Sequence, residues 1–389
     1  VNRVETCPGG GSKDLEVFHR VRAIPTNSCI QLTSAEEAKN YPKGDIELGY
    51  CRDCEFISNR AFDPALTEYS SRYEETQAFS ETFNRFHRTL ARDLVERHQL
   101  KNKRIIEIGC GKGEFLELLC ELGENEGVGF DLGFDPGRLQ GRPTAGIEFV
   151  RDFFSEAYSH YLSDFVCCKM TLEHISDTRN FVEVTRRSIG DRRDTVVFFQ
   201  VPNADRILTQ CAFEDIYYEH CSYFTSSSLA GLFERCGFRV LDVRFGEQYL
   251  SVEAVPVESA RRVPYCVKRR SVQAKVADFS TRMIAKRRHW NEVVGKALDD
   301  GKRIALWGAG SKAVSFLHTI DRGVEIPLAV DINPHRQGHF MAGTAQRIVG
   351  PQALEITPPD LIIVMNRIYL DEVRQELADR SLAPHLCAL

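Results

Sequence analysis

Residues suited to proton transfer gather in DIYYEHCSYF, residues 215–224, where Glu219 adjoins His220 and three tyrosines, Tyr217, Tyr218 and Tyr223, lie within three residues of that histidine. Imidazole titrates near neutral pH, so His220 is a candidate general base. Glu219 is the candidate to fix its tautomer, although adjacent residues on an extended segment tend to point apart. Tyr217, and His174 in TLEHIS, are candidate donors to a developing oxyanion. The same stretch also reads as a core histidine satisfied between aromatic neighbours, so the flanking sequence has to decide.

A second constellation is EIGCGKGEF, which sets Gly109, Cys110, Gly111 and Gly113 between an apolar strand and a helical pattern. Glycines there let a ligand approach the backbone, and the helix start offers free N–H groups. Glu107 precedes the glycines, and Asp131 ends the next apolar run eighteen residues after Gly113, where a ribose diol is gripped. Asp135 in GFDPG competes with it. Nicotinamide and S-adenosylmethionine sites share this logic. A third constellation is Cys51-x-x-Cys54, whose two thiols can reach one metal. Tetrahedral zinc needs two more ligands, for which Cys7 and Cys29 are the candidates. The alternative is reduced thiols in a small loop-rich module.

The elements that must position these residues fall into segments. Residues 1–75 read as the loop-rich cysteine module. Residues 76–255 alternate strands (RIIEIG, EGVGFD, DFVCCKM, TVVFFQVP, FRVLDVRF) with helical patterns, which predicts a mostly parallel α/β sheet covered on both faces. Residues 256–300 are basic and helix-patterned and read as a solvated helical connector. Residues 301–389 open another strand, glycine turn and helix at KRIALWGAGSKAVSFLHTI, with PLAVDIN and PDLIIVMN as further strands.

The bulk composition sets limits on partners. The 389 residues are 43% apolar and 27% charged with a net charge of −5, which lacks the basic footprint of a nucleic-acid binder. No apolar run reaches the roughly 18 residues of a membrane span, and VNRVETCPGGG lacks a signal-peptide pattern. Thirteen scattered cysteines do not suggest a disulfide scaffold. A reducing cytoplasmic setting is expected, with a small-molecule partner, no nucleic acid and no membrane.

EIGCGKGEF resembles motif I of class I S-adenosylmethionine-dependent methyltransferases, with G-x-G-x-G spacing. The resemblance implies a Rossmann-like core that binds S-adenosylmethionine through Glu107, Gly109, Cys110, Gly111, Gly113 and Asp131, with Asp152 and Phe153 of RDFF at the adenine. KMTLEH would face the methyl donor. The order of parts resembles the three-part sugar C-methyltransferases, which methylate a carbon of a nucleotide-linked 4-keto-deoxysugar. It implies a zinc-binding N-terminal module and a C-terminal Rossmann-like domain covering the substrate. Tyr217, Glu219 and His220 match that family's Tyr-x-Glu-His motif, whose histidine is the proposed base, and His174 matches a second histidine of the site.

Departures from the family pattern gather at acceptor contacts. Cys7 is followed by Pro-Gly-Gly rather than a second cysteine, Glu75 stands where a second active-site tyrosine is expected after Tyr73, and GEQYLSVEA replaces a His-Gly-Gly segment. Alternatives are therefore an O- or N-methyltransferase of a small metabolite, and a non-catalytic binding protein built on the cysteine module. An NAD-dependent oxidoreductase is a further alternative, through Gly308, Gly310, Ala313 and Asp331 of the last segment.

Overall fold

The computed structural model describes residues 4–70, 72–139, 145–258 and 270–389. Its strands form three sheets.

The N-terminal segment is more ordered than its loop-rich reading. Strands Leu15–Pro25, Lys43–Cys51 and Ile57–Asn59 form an antiparallel sheet. A fourth strand, Ser222–Tyr223, comes from far along the chain and pairs Ser58 with Ser222 and Ile57 with Tyr223. His220 thus lies two residues before a strand that belongs to the N-terminal sheet. The long first strand is hard to read in sequence because LEVFHRVRAIP alternates apolar residues with His19, Arg20 and Arg22, and most of its positions are only partly buried.

The central sheet has seven strands in the order Phe238–Phe245, Tyr249–Pro256, Val196–Pro202, Phe165–Lys169, Arg104–Ile108, Glu126–Phe130, Ile147–Val150. The last five run parallel, as continuous apolar runs such as FVCCK require when both faces are covered. Tyr249–Pro256 is antiparallel to both its neighbours. This strand includes part of GEQYLSVEA. The C-terminal sheet is all parallel, in the order Arg347–Val349, Leu328–Val330, Ile304–Trp307, Leu361–Val364, His385–Ala388.

The basic stretch is not a solvated connector. Residues 259–269 lie outside the described residues, but helix Arg270–Asp299 buries Val272, Val276, Phe279, Met283, Trp290, Val294 and Ala297. That spacing is a single apolar stripe, and the lysines and arginines occupy the remaining faces. The stripe joins one core with Ile24 and Leu48 of the N-terminal sheet and with Phe316 and Ile363 of the C-terminal domain. Phe18 meets Phe279 edge-on at 5.7 Å. Burying such a side chain contributes about 1.5–3 kcal/mol, so the helix is a structural spine between the first and last parts of the chain. No helix among the described residues is long and apolar enough to cross a membrane.

Candidate active site

At the carboxyl ends of the central strands lies a cavity of about 910 Å³, where ligands bind in open α/β sheets. It is lined by both glycine loops and by the catalytic candidates Tyr217, His174 and His220.

The first glycine loop follows strand Arg104–Ile108. Gly109 and Gly111 have φ of 71° and 54°, which glycine adopts without strain. A Cβ on Gly109 would stand 2.1 Å from Thr171 Oγ1, and one on Gly111 would stand 2.8 Å from Glu75 Oε1. Both glycines, with Cys110, line the cavity, whereas Gly113 turns the chain into helix Glu114–Gly123 and packs against Phe149. Asp131 accepts from the N–H groups of Gly111 at 2.9 Å and Gly133 at 2.8 Å. Each carboxylate oxygen keeps a further lone pair for a diol. Burial pushes Asp131 above the usual carboxylate range. Asp135 caps its own turn through Gly137 N–H and does not line the cavity.

Glu107 is buried with Oε2 unpartnered, and burial pushes it up while the nearby Lys169 opposes the shift. Lys169 in turn contacts His87 Nε2 at 3.0 Å and lies over the Phe115 ring. Asp152 and Phe153 sit at the rim. Phe153 is 60% exposed, while Asp152 accepts from Phe153 N–H and from Tyr158. The residues present therefore fit S-adenosylmethionine: a cradle that any side chain would fill, an orphaned acid beneath it, a diol-gripping acid and an exposed ring for the adenine.

At the other side of the cavity, two Glu-His dipeptides cross. Glu219 does not fix the His220 imidazole. Its carboxylate accepts from Ser28 N–H at 2.9 Å, Ser28 Oγ at 2.7 Å and Tyr73 hydroxyl at 3.3 Å. The backbone turns between residues 217 and 220, so neighbouring side chains diverge and Glu219 faces the N-terminal segment. Glu173 faces His220 instead, with Oε1 3.9 Å from Nε2. His174 bonds the Glu219 backbone, and its Nδ1 meets the Tyr69 hydroxyl at 3.1 Å. With both attachments made, His174 is a wall residue rather than a free donor. The Tyr217 ring lies 4.0 Å from the His220 ring, and both line the cavity. Burial drives His220 well below the ordinary histidine value, so its imidazole is neutral.

The thiols also depart from expectation. Cys7, Cys51 and Cys54 converge, with ligand atoms within 4.8 Å of one another. Cys29 is elsewhere: its Sγ is 3.4 Å from Ser311 Oγ, at the cavity wall. Among the described residues no fourth metal-ligating side chain joins the three thiols.

The C-terminal glycine loop repeats the donor-loop pattern. Asp331 accepts from Ala309 N–H and Asn333 N–H, both at 2.9 Å, as Asp131 does from Gly111 and Gly133. Here, however, Arg336 donates to Ala309 carbonyl at 2.9 Å and to Glu74 carbonyl, and Asn333 donates to Glu74 Oε1. Gly308 and Gly310 line the cavity, and Ala313 is buried in the helix that follows. The loop thus holds the segment at Glu74, and Gly310 leaves room for Arg336, whose Nη1 an added Cβ would approach to 3.3 Å.

Sequence reading missed Glu173, Ser28 and Tyr69, and an aromatic wall of Phe79, Phe83, Phe86 and Tyr249. A second Glu-His dipeptide in TLEHIS was the available signal for Glu173. The others are set by contacts between distant segments.

Residues 80–243 match the methyltransferase domain family, and residues 269–382 match the C-methyltransferase C-terminal domain family. The chain is 26% identical over 351 residues to the C-methyltransferase NovU of Streptomyces niveus, covering 84% of this chain and 81% of that protein. Similar solved structures include a 1,6-didemethyltoxoflavin-N1-methyltransferase from Burkholderia thailandensis (18% identity, 44% of this chain and 79% of that one, TM-score 0.35). Another is magnesium protoporphyrin IX methyltransferase from Synechocystis PCC 6803 (16% identity, 45% and 84%, TM-score 0.36). With a methyltransferase domain and a C-methyltransferase C-terminal domain matched on one chain, the protein is an S-adenosylmethionine-dependent methyltransferase of Rossmann-like fold, similar along most of its length to a C-methyltransferase.

Proposed function

We propose that the protein methylates a carbon next to a ketone in a nucleotide-linked deoxysugar, with His220 as general base. The observation that carries this reading is a neutral, buried imidazole opening on the cavity that the donor loop also lines. When bound, S-adenosylmethionine supplies an electrophilic methyl group. His220 removes the α-proton, and Tyr217 beside it is the donor to the enolate oxygen. The acid at Glu219 holds Ser28 and Tyr73, and so shapes the wall against which the acceptor lies.

The test is to incubate the protein with methyl-labelled S-adenosylmethionine and a nucleoside-diphosphate-linked 4-keto-deoxysugar. Carbon NMR should place the label on the ring carbon beside the ketone. Label on oxygen, or none with any such sugar, overturns the reading. A second reading, O- or N-methylation of a planar metabolite, is favoured by the aromatic wall, where Phe79 and Phe86 are 43% and 36% exposed. A planar aromatic acceptor in the same assay separates the two.

For the metal, we propose that Cys7, Cys51 and Cys54 hold zinc. Gly10 packs against this cluster, and an added Cβ there would press on Cys54 at 2.9 Å from its Sγ. Native mass spectrometry should find one zinc per chain. Cys54→Ala should leave two thiols and abolish stoichiometric zinc binding. A folded wild-type protein free of metal would sink the assignment.

A further inference from the structure

A neutral buried histidine starts proton abstraction well but retains the proton badly. Burial, the neighbouring His174 and the charge of Lys312 all disfavour an imidazolium at His220. The carbanion formed beside it can recapture the proton before the methyl group arrives. A durable acceptor would be a group whose protonated form is the neutral one.

Glu173 has that character. It is 0% exposed and stands at the cavity wall. Neither carboxylate oxygen has a hydrogen-bond partner, an arrangement costly for a carboxylate and mild for a neutral acid. Its Oε1 lies 3.9 Å from His220 Nε2, beyond a hydrogen bond but within a side-chain rotation of one, and catalytic hydrogen bonds in ligand-free sites are often long. The other nitrogen, Nδ1, is buried without a partner.

We propose that Glu173 is the terminal proton acceptor of the reaction, acting through His220. This rests on His220 being the base. The acceptor C–H bond breaks and an N–H bond forms at Nε2, leaving the electron pair on the carbon and ketone oxygen. The Nε2–H bond then breaks as an O–H bond forms on Glu173, and the imidazole returns to neutral. The negative charge has moved from Glu173 to the enolate, where methyl transfer from the sulfonium consumes it.

Glu173 has to be ionised at the outset. Burial pushes it up to about 8. The groups that face it are Cys168 from the preceding strand, His174 on its own turn, His220, Cys221 and Tyr217 from the catalytic segment, Tyr69 from the N-terminal side and Tyr249 from the hairpin. The thiols and phenols among these are neutral at that pH, so the rate should rise as pH passes through about 8, when Glu173 loses its proton.

Glu173, His174 and His220 also have the spacing of a metal triad, with ligand atoms within 4.8 Å of one another. The contacts of His174 with Tyr69 and the Glu219 backbone leave two free ligands, which favours the proton role.

The experiment is infrared difference spectroscopy through a pH titration, comparing wild type with Glu173→Gln and Glu173→Asp. S-adenosylhomocysteine affinity serves as the check on folding. Glu107, also pushed up to about 8, contributes a buried carboxylic-acid band that every variant keeps, while a second band disappearing near pH 8 should be lost in Glu173→Gln and retained, shifted, in Glu173→Asp. If Glu173→Gln loses no such band, the proposal falls whatever the acceptor. Turnover adds a second arm. Loss of the alkaline rise in Glu173→Gln supports the relay. An inactive His220→Ala beside a Glu173→Gln that keeps the wild-type rate and pH profile overturns the relay alone. Full activity in both variants removes the base reading as well. A divalent ion found in the wild type and absent from Glu173→Gln would make Glu173 a metal ligand and overturn the relay.

Discussion

His220→Ala is expected to lower methyl transfer by about 10²–10⁴-fold, the usual contribution of a positioned base, while S-adenosylhomocysteine binds as tightly as to wild type. The separation follows from the layout of the cavity. The glycine loop Gly109–Gly111 and Asp131, the proposed donor cradle, belong to the carboxyl ends of Arg104–Ile108 and Glu126–Phe130, whereas His220 is held by the segment leading to Ser222–Tyr223. Among the described residues no hydrogen bond links the imidazole to the glycine loop, so truncating it should remove proton transfer and leave the cradle in place. The hole left behind is walled by Tyr217, His174 and Tyr223, ring to ring with the lost imidazole at 4.0, 4.9 and 6.2 Å. Some loss of stability should accompany the change. Isothermal calorimetry and a methyl-transfer assay on one preparation check both halves. Wild-type turnover would return His220 to ordinary packing, and joint loss of binding and turnover would mean that the pocket had collapsed.

Gly109→Ala should have the opposite signature, a loss of donor binding. The left-handed backbone at φ 71° costs an alanine about 1–2 kcal/mol. The added Cβ would also meet Thr171 Oγ1 at 2.1 Å and Thr171 Cβ at 2.8 Å, inside any permitted contact. Either the loop or the turn after Phe165–Lys169 has to move, and both line the cavity. Since about 1.4 kcal/mol is tenfold in affinity, we expect S-adenosylhomocysteine to bind at least tenfold more weakly by calorimetry. Gly295 supplies the contrast. It lies in helix Arg270–Asp299, a Cβ there meets nothing within 4 Å, and Gly295→Ala should leave donor binding intact and add up to about 1 kcal/mol of stability. Equal donor affinity in the two variants would show that the Gly109 turn is not part of the site.

What could be read from the residues alone was what depends on local backbone demands. A glycine that must take positive φ between a strand and a helix leaves its mark in the sequence, so the turn at Gly109 and Gly111 was legible. The parallel central sheet was legible too, because strands buried on both faces become continuous apolar runs. What could not be read was the choice between distant partners. Glu219 is next to His220 in the chain yet pairs with Ser28, 191 residues away. Cys29 looked like the missing thiol because counting cysteines cannot tell a knuckle from a cavity wall. The helix at 270–299 hid its apolar stripe beneath lysines and arginines, and a hydrophobic seam is easily lost among charges when only the average is read. Ser222–Tyr223 is too short a strand to carry any periodicity.

That two-residue strand also bears on how the chain is made. Ile57 pairs with Tyr223, so the N-terminal sheet is built early on the ribosome but keeps an open edge until 166 further residues have emerged. At about 5–20 residues per second the wait is roughly 10–30 s. An unpaired edge is a template for another chain. The buried stripe of Arg270–Asp299, which covers the same sheet, arrives later still. The nascent protein therefore has a window in which its first domain is complete in sequence and incomplete in surface. Synthesis rate, chaperone supply and growth temperature should govern how much of it survives to fold.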